Sequence, residues 1–350
     1  MILCPLRLEP TFSPRPWGSL SLAPFFPEKS NLTEPIGEAW MTGSESRLAN
    51  GPFRGKSVGE AWIGMSSDWR GTLLGGAALF PLLVKFLFTE DKPSVQVHPD
   101  DDYASKHESR AGGRGKTEMW YILRARPGGE VLIGLKPGVT REGFKRAIRD
   151  GTAEDYLDHI PLHAGEAVFI PAGTAHTIGA GLVLCEIQEN SDLTYRVYDY
   201  NRPDAHGRMR PLHIEKALEV IRFGEQSGGK LKPARIERGA VTITYFVACR
   251  HFATEKWEFS EPVAGCSSPG HFDLAIFLEG AGTIRWGKEQ AEYGPAQAWM
   301  IPAALGPYQL APCSRTSMLR TYVPGDLDDL GRRLAERGLS ESAWSRIVYP

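Results

Sequence analysis

Short apolar runs broken by Gly, Pro or Asp set the pattern of the middle of this chain. Leu82 to Phe88, Ser94 to His98, Glu118 to Leu123, Val131 to Leu135, Ala167 to Ile170 and Leu182 to Gln188 are brief and rich in β-branched or aromatic residues. Runs of that kind read as strands. A helix is predicted from Thr140 to Ile148, with Thr140 as N-cap and Phe144, Ala147 and Ile148 as its apolar stripe. Further helices are expected at Ala153 to His159 and around Leu212 to Phe223. The polar stretch Gly224-Glu225-Gln226-Ser227-Gly228-Gly229-Lys230 has the composition of a linker. Strand patterns then resume at Val241 to Ala248, Trp257 to Phe259, Leu274 to Leu278, Gly282 to Trp286 and Ala298 to Ile301, followed by an amphipathic helix over Asp326 to Arg337.

Two such runs predict a mainly β protein of two sandwiches or barrels with small helical additions. The linker divides it into residues 1–224 and 230–350. Residues 1 to about 75 are rich in Pro, Gly, Trp and Ser and show few apolar-periodic runs. Gly37-Glu38-Ala39-Trp40 recurs there as Gly59-Glu60-Ala61-Trp62, but the flanks do not match and no repeat is assigned.

Composition narrows the function. The 350 residues carry 40 Lys+Arg against 42 Asp+Glu, so no net field draws the molecule to nucleic acid or a membrane. The odd, scattered cysteines Cys4, Cys185, Cys249, Cys266 and Cys313 include no C-x-x-C pair, which argues for a reducing compartment and against a disulfide framework. The start of the chain lacks a signal-peptide pattern. The most apolar stretch, Ala77 to Phe88, is interrupted by Pro81 and Lys85 and is too short to span a bilayer. A soluble cytoplasmic protein is expected.

Three motifs could carry chemistry. In Ser94-Val95-Gln96-Val97-His98-Pro99-Asp100, alternation puts Gln96 and His98 on one strand face; such a pair is either hydrogen-bonded structure or a site. Glu118 opens an otherwise apolar strand, where an unpaired carboxylate is costly, so it is edge-exposed or paired with Lys116 or a metal. His176 follows the turn Pro171-Ala172-Gly173-Thr174 and is either a solvent residue or a fourth donor. Together Gln96, His98, Glu118 and His176 form an N/O set that suits Zn²⁺ with an open position. His107 and His163 read as surface residues. The stretch Arg110 to Thr117 resembles a phosphate loop, but its first required Gly is Arg110 and a strand follows where a helix is needed. Lys116 and Arg196 could meet a phosphate or be solvated charges.

These motifs, with Tyr195-Arg196-Val197-Tyr198-Asp199-Tyr200, Gly37-Glu38-Ala39-Trp40 and Phe80-Pro81-Leu82-Leu83-Val84-Lys85, resemble type I phosphomannose isomerases of the short bacterial form. The resemblance spans roughly residues 10–220. It implies two cupin-type (jelly-roll) β-barrels: a catalytic N-terminal one with a short helical insertion at about 140–159, and a C-terminal one without metal. It implies one zinc per chain on Gln96, His98, Glu118 and His176, with Arg196 and Lys116 in catalytic and phosphate-binding roles. Ser94 matches a phosphate-holding position, and Asp192 a carboxylate suspected in proton transfer. The separation of Glu118 and His176 is that of the short form. The expected activity is reversible isomerisation of mannose 6-phosphate and fructose 6-phosphate through a cis-enediolate. The expected partner is a small sugar phosphate, and the chain a monomer or weak homodimer. Two other readings compete: a non-catalytic sugar-binding cupin descended from an isomerase, and an iron cupin oxygenase, which Gln96 disfavours. In the C-terminal half His251 and His271 stand isolated.

Overall fold

The computed structural model describes residues 2–203, 207–225 and 228–349, and is mainly β. One compact unit consists of Phe12–Ala39 and Leu83–Lys230; the other combines the chain up to Thr11, Trp40–Leu82 and the chain from Leu231 onward. A single cut between 224 and 230 therefore captures only part of the division. Strand pairing explains the difference. Leu6–Glu9 is antiparallel to Gln297–Ile301, with Leu6 opposite Met300 and Leu8 opposite Ala298, and its other edge pairs with Arg47–Leu48. Leu6 and Leu8 are buried there, so the apolar face of this strand has its partner near the far end of the sequence.

The unit holding the predicted site has two sheets. The larger runs in the order Gly229–Lys230, Ala167–Ile170, Glu118–Ala125, Leu182–Glu189, Leu82–Thr89, Ile36–Trp40, Thr11–Ser19. The smaller runs Tyr195–Tyr198, Val95–Val97, His176–Ile178, Glu130–Leu135, Leu157–Pro161. Trp120 and Ile122 from the first pack with Val131, Ile133 and Ile178 from the second in one apolar cluster. On the other face of the smaller sheet, Val95, Val97 and Leu132 pack with Phe144, Ile148, Ala217 and Leu218 of the helices Arg141–Asp150 and Ile214–Val220. Because strand side chains alternate, this packing turns Gln96 toward the interior between the sheets.

The helix Arg141–Asp150 starts as the sequence predicts, with the Thr140 hydroxyl accepting from the Gly143 N–H at 3.1 Å. The expected helix at Ala153–His159 is different. Ala153–Tyr156 is one 3-10 turn, and Leu157–Pro161 is a strand paired with Glu130–Leu135. Leu157 is fully buried and the residues after it alternate in exposure, so the sheet edge takes a segment too short to bury a helical stripe. Of the predicted linker, Gln226 and Ser227 lie outside the described residues, and Lys230 pairs opposite Val168 as part of a strand.

The two Gly-Glu-Ala-Trp copies adopt different structures. The first lies in the strand Ile36–Trp40, where Gly37 sits so close to Arg15 that a Cβ would lie 2.6 Å from the Arg15 Cβ. The second lies in the helix Val58–Gly64, started by a capping box in which Ser57 accepts from the Glu60 N–H and Glu60 accepts from the Ser57 N–H. Flanking residues decide the outcome.

In the other unit, an eight-stranded and a four-stranded sheet enclose a core that includes Phe277, Ile284, Trp299, Leu310 and Met318. The helix Leu327–Glu336 buries Leu330 and Leu334. Among the described residues no helix is long and apolar enough to cross a membrane.

Candidate metal and substrate site

Three strands and one turn bring the predicted donors together. His176 stands directly opposite Gln96 in the antiparallel pair of Val95–Val97 and His176–Ile178. Glu118 begins an interior strand of the larger sheet, paired with Ile170 on one side and Gln188 on the other. One ligand atom from each of His98, Glu118 and His176 lies within 4.8 Å of the other two, and all three residues are buried. His176 Nε2 is 3.2 Å from Glu118 Oε1, and His98 Nε2 is 3.7 Å from Glu118 Oε2. The Gln96 amide nitrogen lies 3.3 Å from His176 Nε2; the two ends of an amide have the same shape, so a half-turn presents its oxygen at the same place.

The backbone orients both imidazoles. His98 Nδ1 lies 2.9 Å from the Leu193 carbonyl and His176 Nδ1 lies 2.8 Å from the Thr174 carbonyl. Each Nδ1–H donates to an oxygen, which leaves Nε2 unprotonated; that of His176 faces Glu118, and that of His98 lies between Glu118 and the Lys116 ammonium, 3.3 Å from Nζ. Burial, then the neighbouring Lys116, push the His98 imidazole well below its usual range. Burial lowers His176 to about 4. Both rings are neutral near pH 7, the state that binds metals. Among the described residues neither Glu118 carboxylate oxygen has a partner in hydrogen-bond geometry, Lys116 beside Oε2 included, a costly condition for a buried carboxylate. The donors therefore fit a divalent cation.

A layer of charge adjoins them. Lys116 Nζ lies 2.6 Å from Glu118 Oε2, in ion contact but outside hydrogen-bond geometry, and 3.6 Å from Glu186 Oε1. Burial alone would lower Lys116, yet Glu118 and Glu186 outweigh it and hold the ammonium above its usual range. Lys85 Nζ is 3.8 Å from Glu186 Oε1 and 3.2 Å from Asp192 Oδ1. Glu186 accepts from the Trp120 indole N–H at 3.0 Å, and burial raises its carboxyl despite the opposing pull of Lys116. At Asp192 burial acts upward, but Lys85 and Lys116 prevail and keep the carboxyl low. Its side chain is 60% exposed, so this carboxylate is open to an incoming molecule.

These groups border a cleft of about 450 Å³ whose walls include Ser94, Gln96, Lys116, Asp192, Arg196 and Arg210. Arg196 donates from Nη1 to the Pro211 carbonyl at 3.1 Å, while its buried Nε–H has no partner among the described residues. Arg210 is bound by Asp199 through Nε at 2.6 Å. Arg15 also borders the cleft and is held by both Glu38 oxygens, at 3.1 and 3.0 Å.

All eight predicted site residues thus lie in this unit, four as a donor cluster and Ser94, Lys116, Asp192 and Arg196 on the cleft wall. His163 is surface-exposed as expected, 81% for its side chain, and so is His107. The roles of Lys85, Glu186, Arg15 and Arg210 escape the motif analysis. Lys85 and Glu186 carried a usable signal, since each is a lone charge inside a strand that otherwise reads as buried, the same anomaly that marks Glu118. Arg15 and Arg210 carried none.

The family description "phosphomannose isomerase type I, catalytic domain" matches residues 6–121. The chain is 34% identical over 319 residues to the mannose-6-phosphate isomerase ManA of Bacillus subtilis, covering 87% of this chain and 95% of that one. It is 33% identical over 311 residues to the mannose-6-phosphate isomerase of Streptococcus mutans, covering 87% and 94%. The crystal structure of a mannose 6-phosphate isomerase from B. subtilis superposes with a TM-score of 0.82 at 29% identity, covering 91% of this chain and 99% of that one. A zinc-bound mannose 6-phosphate isomerase shares the fold, with a TM-score of 0.71 at 16% identity over 91% of this chain and 99% of that one. Identity of this order over nearly the full length of the relatives means that the chain belongs to the type I phosphomannose isomerase family, a family of aldose–ketose isomerases.

Proposed function

We propose that the cleft interconverts mannose 6-phosphate and fructose 6-phosphate, with one zinc per chain held by Gln96, His98, Glu118 and His176. The observation that carries this reading is Glu118, a fully buried carboxylate whose two unbonded oxygens face His176 Nε2 and His98 Nε2. When bound, zinc supplies a Lewis acid that stabilises charge developing on the substrate oxygens.

The remaining work falls to side chains. Arg196, which lines the cleft, binds the phosphate, aided by Ser94 and Lys116 on the same wall. Anchoring the phosphate fixes C1 and C2 relative to the donors, which converts remote binding into orientation of the reacting carbons. A proton leaves C2 and one arrives at C1, while a proton passes from the O2 hydroxyl to O1; the product is the ketose by way of a cis-enediolate. Asp192, exposed to the cleft and kept ionised by Lys85, accepts the C2 proton. Lys116, kept protonated by Glu118 and Glu186, donates a hydrogen bond to the oxygens as charge builds. All five cysteines are free thiols, which suits the reducing cytoplasm.

A coupled assay of mannose 6-phosphate conversion, on protein as purified, after a chelator and after zinc return, tests this. Activity is expected to vanish with the metal and to return with zinc. A folded, zinc-replete chain with no turnover would favour a sugar-binding protein without catalysis.

A further inference from the structure

The other unit buries charge that the isomerase chemistry does not use. Glu255 and Arg320 are register partners on the strands Ala253–Phe259 and Thr316–Tyr322, and Asp273 begins the neighbouring strand. Arg320 donates from Nη1 to Glu255 at 2.6 Å and from Nη2 to Asp273 at 2.9 Å. Arg320 Nε, Glu255 Oε2 and Asp273 Oδ2 are buried with no partner among the described residues. His271, isolated in the sequence, is buried here with Nδ1 3.2 Å from Asp273 Oδ1 and its ring stacked on Tyr322. Buried ion pairs cost more than apolar packing of the same volume, so this network calls for a reason besides stability.

Beside it lies a cavity of about 590 Å³, within the size range of small-molecule sites. Its wall includes Arg320, Trp257, Tyr308 and Cys266, with Arg238 and Arg337 both exposed. No Asp or Glu is among the described residues that line it. Gly265 keeps the Tyr308 ring in place, since a Cβ there would come within 2.4 Å of it. Arg337 engages Tyr245 through Nη1 alone, leaving further donors for a ligand.

We propose that this cavity is a second binding site, for a small organic anion: a phosphate or carboxylate held by Arg238 and Arg337, with Arg320 in the wall behind them, on a body that lies against Trp257. An indole accepts the apolar face of a sugar or a carbon chain, and guanidinium donors match either anionic group.

Cys266 reports on occupancy directly. In the full chain carrying Cys313→Ser, which removes the other exposed thiol, the alkylation rate of Cys266 is followed by peptide mass spectrometry. Glucose 6-phosphate and citrate serve as probes of the two anion classes, with mannitol as a neutral control. A bound anion at about ten times its Kd should slow alkylation about tenfold. Protection by glucose 6-phosphate alone assigns the site to sugar phosphates, and protection by citrate alone to carboxylates. Arg238→Ala with Arg337→Ala should abolish protection and leave isomerase turnover unchanged, whereas Arg196→Ala should leave protection intact. No protection by either anion at about 10 mM, protection that survives loss of both arginines, or protection lost in Arg196→Ala would each overturn the proposal.

Discussion

Gln96 and His176 face each other across one antiparallel register, with the amide nitrogen 3.3 Å from imidazole Nε2. Two donors separated by eighty positions in the sequence are thus set by a single strand pairing. The ring is fixed a second time by its Nδ1 bond to Thr174. A slip of one residue in either strand would turn that strand's donor toward the helices.

Removing one donor should release the metal. His176→Ala is expected to cut zinc affinity by more than the roughly 10–100-fold typical of losing an outer-shell partner. Elemental analysis of the dialysed variant checks it, and full zinc stoichiometry would remove His176 from the ligand set.

Arg196 lies outside that cluster, so its loss should separate metal binding from turnover. Losing a charge-assisted hydrogen bond costs about 1.5–3 kcal/mol, so Arg196→Ala should lower kcat/KM at least tenfold to hundredfold with zinc retained. Near wild-type kinetics would exclude Arg196 from phosphate binding.

The Lys85–Asp192 pair bears on proton transfer. Asp192→Asn should reduce kcat by about 10²–10⁴ with KM little changed. In Lys85→Met the carboxyl at Asp192 loses a cation that holds it down against burial. Its pKa rises, and the acid limb of the kcat profile moves to higher pH. An unmoved limb in the lysine variant, with full turnover in the asparagine variant, would give the proton to another group.

Asp199 links the cleft to acid stability. Burial pushes its carboxyl up, but Arg210 and Arg202 bind it and hold it below the ordinary 3.8. The unfolded chain therefore takes up a proton first as pH falls. The contribution of this group is complete above its unfolded value and is lost as pH drops below 3.8 through the folded value, at a slope of at most about 1.4 kcal/mol per pH unit. Asp199→Asn should lower stability by about 1.5–3 kcal/mol near pH 7, with the gap closing toward pH 3. Urea unfolding at both pH values decides it; a gap that does not change with pH contradicts the linkage.

What the sequence made legible follows from the range of each interaction. Gln96, His98, Glu118 and His176 are polar residues in apolar or turn settings, so local pattern marks each of them. The Thr140 cap is local in the same sense. The Lys85 contact with Asp192 joins positions 107 residues apart, and no periodicity signals it. Leu157–Pro161 became a strand because Glu130–Leu135 offered an open edge, which is a property of the sheet and not of the segment. The paired Gly-Glu-Ala-Trp copies make the same point from the other side, since an identical tetrapeptide is strand or helix according to Arg15 or Ser57.

The pairing of Leu6–Glu9 with Gln297–Ile301 also orders events during synthesis. At about 5–20 residues per second, the segment at Leu6–Glu9 waits tens of seconds for the strand Gln297–Ile301 to be made. The unit that holds the donor cluster ends at Lys230, so all of its residues have left the ribosome well before that partner exists. Through this interval the edge of Leu6–Glu9 that later meets Gln297–Ile301 has no partner, and an unpaired apolar strand edge is a template for pairing with another chain.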